Sequence, residues 1–235
     1  MQELIAEAAT MGLALSCRQI ATFERYQQLL QEWNRRISLT TVDDPAQVRV
    51  RHFLDSLSCA MVTGDLDGQR LVDVGTGAGF PGLPLKILYP RLQLTLVESV
   101  TKKVRFLSLV LEELSIADVQ VLDARAETVG QDRAYRASYD WAVARAVAPL
   151  NVLLEYLLPL CRIGGRALAM KSDRAQAEAE AAAKAIEVLG GAAPRFYPVR
   201  LPGRDETSYL VAIQKRVPTP DAYPRRPGLP AKRSL

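Results

Sequence analysis

A chain of 235 residues that is 49% hydrophobic can bury one large core with an appendage, and no run of 18 apolar residues is present to span a membrane. Thirty Lys and Arg face 26 Asp and Glu, and the excess sits in the last 21 residues, where six basic side chains accompany Asp221 alone. Cys17, Cys59 and Cys161 form neither a CxxC pair nor a disulfide framework, and the start of the chain lacks the basic flank of a signal peptide, so a cytoplasmic location is expected; His52 is the sole histidine, which excludes a metal cluster built on several histidines.

The first third reads as helix. Ser16 with Gln19 three residues on makes a capping-box start, and Ile20, Phe23, Gln27, Leu30 and Trp33 follow at three- and four-residue spacing. Asp43-Asp44-Pro45 starts a second helix, with Pro45 in the first turn where its missing N–H costs little. This helix is predicted to run to about Met61, with Val48, Phe53, Leu57, Cys59 and Ala60 facing inward. Residues 1–62 are therefore expected to form an N-terminal helical extension.

From Arg70 the pattern changes. Strand-like runs at 70–74, 92–98, 118–122, 139–144 and 165–171 alternate with helical patterns at 82–88, 101–115, 149–161 and 173–189. That alternation implies βαβ units, a parallel sheet and right-handed crossovers. Two further strand-like runs, 195–201 and 208–215, are joined by Pro202-Gly203-Arg204-Asp205-Glu206, a connection short enough only for an antiparallel pair. A Rossmann-like α/β domain over 63–216 follows, with a seven-stranded, mostly parallel sheet closed by an antiparallel hairpin; this is the strand pattern of the class I methyltransferases. Residues 217–235 form a basic tail holding five of the fourteen prolines, expected to lie extended and suited to a polyanion.

The densest signal is Leu71-Val72-Asp73-Val74-Gly75-Thr76-Gly77-Ala78-Gly79-Phe80-Pro81-Gly82, a strand that enters a glycine turn and then a helix. Twenty-three residues after Gly75 the next strand ends in Glu98, the placement of a carboxylate that holds ribose hydroxyls. Counted from Gly75, the dinucleotide fingerprint GxGxxG fails at Phe80; counted from Gly77 it passes, so a nicotinamide-linked oxidoreductase stays as an alternative. The Gly75 frame, with Asp73 one residue before the turn, matches the D-x-G-x-G-x-G form usual for S-adenosylmethionine. Pro81 and Pro84 also remove two N–H donors that a pyrophosphate would need, a loss that matters little to a sulfonium-bearing amino acid. Asp73 is expected to accept from the ammonium group of that ligand. The strand at 118–122 leads to Ala126-Glu127 at the adenine end, and the strand at 139–144 delivers Arg145 to the ligand-binding edge.

GxSxG, HExxH and P-loop motifs are absent, as are a Pro-Cys nucleophile and an Asn/Asp-Pro-Pro-aromatic motif. Guanine N7 presents a lone pair at neutral pH, so its methylation by in-line displacement needs positioning and no general base. A small-molecule methyltransferase is the second alternative.

The chain resembles the RsmG family, also called the glucose-inhibited division protein B family, across nearly its whole length. The resemblance is carried by Trp33-Asn34 with Leu39-Thr40, by Arg51-His52-Phe53-Leu54-Asp55-Ser56, by the glycine motif at 73–82, and by Lys102-Lys103-Val104-Arg105-Phe106-Leu107. Arg125-Ala126-Glu127, Ala144-Arg145-Ala146, Lys171 and the tail around Tyr223-Pro224-Arg225-Arg226-Pro227-Gly228 continue it. Ser38, where the family usually carries Asn, departs from the pattern. The resemblance implies an S-adenosyl-L-methionine-dependent transferase acting on N7 of a guanine in small-subunit (16S) ribosomal RNA or the 30S particle, without metal, and a monomer is expected. It implies cofactor contacts at Gly75, Gly77, Phe80, Glu98, Ala126, Glu127 and Arg145. Arg145 is also the expected catalytic residue, and Arg51, His52, Lys102, Lys103, Arg105 and Lys171 are expected to grip RNA phosphates.

Overall fold

The computed structural model describes residues 1–203 and 205–235; Arg204, within the predicted connection between the last two strands, lies outside the described residues. Helices α1 (Gln2–Thr10) and α2 (Cys17–Asn34) open the chain. The capping box at the start of α2 forms as predicted, with Gln19 N–H donating to Ser16 Oγ and Ser16 N–H to Gln19 Oε1. The segment predicted as one helix to Met61 is broken: α3 (Pro45–Val48) passes into a π-helical turn, Arg49–Leu54, then α4 (Asp55–Leu57) and α5 (Ala60–Thr63). Val48, Phe53, Leu57, Cys59 and Ala60 are all buried, so the inward face is right although the helix type is not.

Strand β1 (Arg70–Val74), α6 (Gly82–Leu88), β2 (Gln93–Glu98), α7 (Thr101–Glu113), β3 (Val119–Asp123) and α8 (Ala126–Gln131) come next. They are followed by β4 (Tyr139–Arg145), α9 (Leu150–Leu157), β5 (Cys161–Lys171), α10 (Ala175–Ala181) and α11 (Ala183–Val188). The chain closes with β6 (Arg195–Val199), β7 (Ser208–Gln214) and a short α12 (Leu229–Lys232). The seven strands are ordered β3-β2-β1-β4-β5-β7-β6; the first four junctions (β3-β2, β2-β1, β1-β4 and β4-β5) are parallel, and both contacts of β7 are antiparallel. Order reverses at β1, so the crevice for a ligand lies where β1 and β4 end, beside the glycine turn.

Successive residues of a strand face opposite sides of the sheet, and two cores result. Leu71, Leu94, Leu96, Val143 and Leu168 pack with Phe23, Leu30, Phe53 and Phe106 on one face. Val72, Val74, Val97, Ala142 and Ala169 pack with Leu150, Leu153, Leu157 and Ile186 on the other. The N-terminal helices share the first core with α6 and α7, which carries the π-helical turn to the end of β4.

The expectation of an extended tail is corrected. Arg136 donates to the carbonyls of Thr219, Pro220 and Tyr223, and Gln131 to that of Pro224. Arg225 clamps the fully buried Glu155. Part-buried bonds donated by a guanidinium to tail carbonyls, with the Arg225–Glu155 pair, supply the anchoring that composition alone did not reveal.

Candidate active site

The glycine turn begins at the end of β1. Gly75 (φ 67°) and Gly77 (φ 63°) adopt left-handed backbone that other residues enter only under strain. A Cβ on Gly75 would meet Val147 at 2.6 Å, whereas one on Gly77 would point into open space. The turn therefore packs on the loop after β4 at one glycine and leaves open space at the other.

Asp73 does not face the crevice, and its expected contact with a ligand ammonium is corrected. It is 0% exposed, lies beneath the turn, and accepts from Thr76 Oγ1 at 2.7 Å and from Gly82 N–H at 2.8 Å. Burial pushes its carboxyl up to about 6, and its Oδ1 has no partner. Asp73 is thus the internal brace that joins β1 to the start of α6.

The N-terminus of α6 offers nothing to a phosphate. Gly82 N–H goes to Asp73, Leu83 N–H to the Gly79 carbonyl and Leu85 N–H to the Pro81 carbonyl, while Pro84 has no N–H. The pyrophosphate of a dinucleotide finds no donor there, which removes the support for the Gly77 frame.

Glu98, at the end of β2, is held by three backbone N–H groups: Gly77 donates to Oε2 at 2.9 Å, and Ser99 and Val100 donate to Oε1 at 2.8 Å. It is 6% exposed, and the one lone pair left on Oε2 can accept from a ribose hydroxyl. Ala126 opens α8, and Glu127 Oε1 accepts from Gly228 N–H at 2.8 Å. A cavity of about 280 Å³ is lined by Gly75, Ala126, Glu127 and Val147 and by Val97 and Ser99, the residues on either side of Glu98. These residues fit S-adenosylmethionine: an open glycine, a fixed carboxylate for the ribose, and apolar walls.

Arg145, at the end of β4, crosses to the N-terminal helices. Its Nη1 donates to Asp55 Oδ2 at 3.0 Å and to the Arg51 carbonyl at 2.8 Å, and its Nη2 lies 3.2 Å from His52 Nδ1. The guanidinium also lies 5.0 Å from the centre of the Phe80 ring. Phe80 is buried between Tyr26 and His52, with ring centres 5.5 and 4.7 Å away, so it contributes an aromatic floor under Arg145. The residue after Arg145, Ala146, has φ 56°, a strained conformation for a side chain.

The expectation that His52 grips phosphate is corrected. Its Nδ1 lies 3.2 Å from Arg145 Nη2 and 3.1 Å from the Arg51 carbonyl, and its Nε2 lies 2.8 Å from Thr40 Oγ1, so both ring nitrogens are taken up within the protein. Burial, and then the Arg145 charge, lower its pKa to about 4. His52 is therefore neutral near pH 7 and links Thr40 to Arg145. Lys171 is likewise not free for RNA: its ammonium pairs with Glu178 at 2.7 Å and donates to the Ala148 carbonyl at 2.6 Å, with its side chain 9% exposed. It pins the loop after β4. Arg51, Lys102 and Arg105 are exposed and Lys103 half-buried, the last three on the first turns of α7.

That loop divides two cavities. Val147 and Ala148 line the cofactor-side cavity, whereas Arg145 and Ala146 line a cleft of about 510 Å³ with Asp55, Met170, Glu178 and Tyr209. Tyr26 and Tyr209 were not singled out from the sequence, because each lies far along the chain from the groups beside it. The i, i+4 spacing of Arg51 and Asp55 was the available signal for the Arg145 network.

The family model described as "rRNA small subunit methyltransferase G" matches residues 19–202. The chain is 52% identical to the "Ribosomal RNA small subunit methyltransferase G" of Roseiflexus castenholzii, with both chains covered in full. It is 43% identical to the protein of that name from Alkaliphilus metalliredigens, over 96% of this chain and 94% of the relative. In fold it is similar to a SAM-dependent methyltransferase from Aquifex aeolicus, with a TM-score of 0.55 and 16% identity over 75% of this chain and 97% of the other.

Proposed function

Because the chain belongs to the rRNA small subunit methyltransferase G family, we propose that it methylates N7 of a guanine in small-subunit ribosomal RNA. The observation that carries this reading is the loop after β4, whose consecutive residues wall two different cavities, one fitted to the methyl donor and one open to a base. When bound, S-adenosylmethionine supplies a methyl group on a sulfonium. Gly75, Gly77 and Phe80 would support its amino-acid end, Glu98 its ribose, and Ala126 with Glu127 its adenine end.

Guanine N7 carries no proton, so no group must remove one. The cleft agrees: both nitrogens of His52 are engaged, Asp55 faces Arg145, and Glu178 faces Lys171. These carboxylates offset the two cations, so the cleft does not oppose the positive charge a purine gains at N7. What the chain contributes is orientation, with Arg145 held on four sides and the base directed to the boundary between the cavities. Arg51, Lys102, Lys103 and Arg105 supply the exposed positive charge for RNA phosphates. One chain holds every group required, so a monomer suffices, and the free Cys17, Cys59 and Cys161 suit a reducing cytoplasm. Among the described residues, no helix is long and apolar enough to cross a membrane.

The test is incubation with S-adenosylmethionine and unmodified small-subunit RNA, in parallel with assembled small subunits. Chain cleavage specific for N7-methylguanosine should reveal a single new site. Absence of the product on both substrates, or methylation at another atom, overturns the assignment.

A further inference from the structure

The tail brings two residues into a cavity that the turn, β2 and α8 would otherwise leave open on one side. Arg225 makes three short bonds to Glu155, from its backbone N–H (2.7 Å), Nε (2.9 Å) and Nη2 (2.7 Å), and Glu155 is 0% exposed. Gln131 and Arg136 hold the carbonyls just before it. Beyond this clamp Gly228 turns with φ 80° and aims its N–H at Glu127 Oε1, and α12 follows with Pro230 buried. Gly228 and Ala231 then line the same cavity as Gly75, Val97 and Glu127. A merely solubilising terminus needs neither a buried carboxylate clamp nor a place in that wall.

We propose that the segment from Tyr223 to Ala231 is a strap that completes the cofactor cavity at its adenosyl end and positions Glu127 through the Gly228 N–H. This rests on the placement of S-adenosylmethionine argued above. One Glu127 oxygen is bound by the strap, which fixes the plane of the carboxylate and leaves Oε2 to face the ligand side. Ligand and strap then stabilise each other reciprocally, because whatever docking the strap adds to cofactor affinity the cofactor returns to the strap. Arg226, Lys232 and Arg233 stay on the outer side and are no part of the wall.

The test uses the full-length protein. Ala231→Trp fills the cavity from an exposed position, and Arg225→Lys keeps the charge while losing the bidentate fork. Titration with S-adenosylhomocysteine should show affinity reduced by about tenfold or more for Ala231→Trp and by a smaller factor for Arg225→Lys. KM for S-adenosylmethionine should rise while kcat and the KM for RNA hold, and ligand should slow hydrogen exchange at the Gly228 amide. Gly77→Ala is the control for the site itself. Wild-type affinity in Ala231→Trp, with Gly77→Ala impaired, overturns the strap alone; wild-type affinity in both overturns the placement of the cofactor. A rise confined to the KM for RNA overturns the strap in favour of an RNA-contacting tail.

Discussion

Arg145 and Asp55, ninety residues apart in the chain, meet at 3.0 Å with their side chains 17% and 12% exposed, and through that pair the end of β4 is tied to the π-helical turn. The contact makes the N-terminal helices part of the active site, since the same guanidinium touches Arg51, His52 and Phe80.

Arg145→Ala should abolish methyl transfer while leaving a folded protein. Removing one partner of a largely buried pair costs about 3 kcal/mol, within the usual stability of a domain. Circular dichroism melts and methyl incorporation into RNA check both parts. A wild-type rate would remove Arg145 from the site.

His52, the only histidine, gives a single imidazole signal whose titration needs no assignment. Its folded pKa of about 4 lies below the ordinary 6.5, so its contribution to stability is present above pH 6.5 and is lost as pH falls through about 4. The expected NMR midpoint is near 4; one near 6.5 contradicts the Thr40–His52–Arg145 chain.

Asp73 has the opposite sign. Its folded pKa of about 6 lies above the ordinary 3.8, so its contribution is fully present below pH 3.8 and lost as pH rises through about 6. Asp73→Asn keeps an acceptor for Thr76 and Gly82 but does not ionise. Relative to the variant, the natural protein should be more stable at pH 4 than at pH 8 by up to about 3 kcal/mol. Denaturant midpoints at the two pH values measure this, and equal differences would refute it.

Replacing Lys102, Lys103 and Arg105 together by Ala should weaken RNA binding and reduce the slope of log affinity against log salt by about 2. Affinity for S-adenosylhomocysteine should not change. An unaltered salt slope would make this turn of α7 a solvated face only.

Gly77→Ala should cost about 1 kcal/mol in stability from its left-handed backbone, since the added Cβ meets no protein atom. It should nevertheless weaken the binding of S-adenosylhomocysteine by about tenfold or more, because Gly77 would support the amino-acid end of the ligand. Calorimetric titration beside a thermal melt separates the two effects.

Much of the architecture was legible because it follows from local periodicity. The short apolar run Leu71-Val72-Asp73-Val74 marks a strand, and Ser16 with Gln19 marks a helix start through bonds three residues apart. The short 202–206 connection required the antiparallel ending. The π-helical turn escaped because Val48, Phe53 and Leu57 face inward under either helix type. The tail was misread because five prolines and six basic residues resemble a disordered terminus, whereas its anchors, Glu155 and Arg136, sit far away in sequence.

The kind of site is written in single positions of the chain: glycines where the backbone needs positive φ, a carboxylate closing β2, an arginine closing β4. These are properties of single positions and of the order of strands, so they can be read along the chain. Tertiary structure alone decided what each charge does. Asp73 is sealed under the turn, His52 is held neutral by burial and Arg145, Lys171 is neutralised by Glu178, and the tail is folded onto Glu155. The state of an ionisable side chain depends on its partners and its distance from water, and folding sets both.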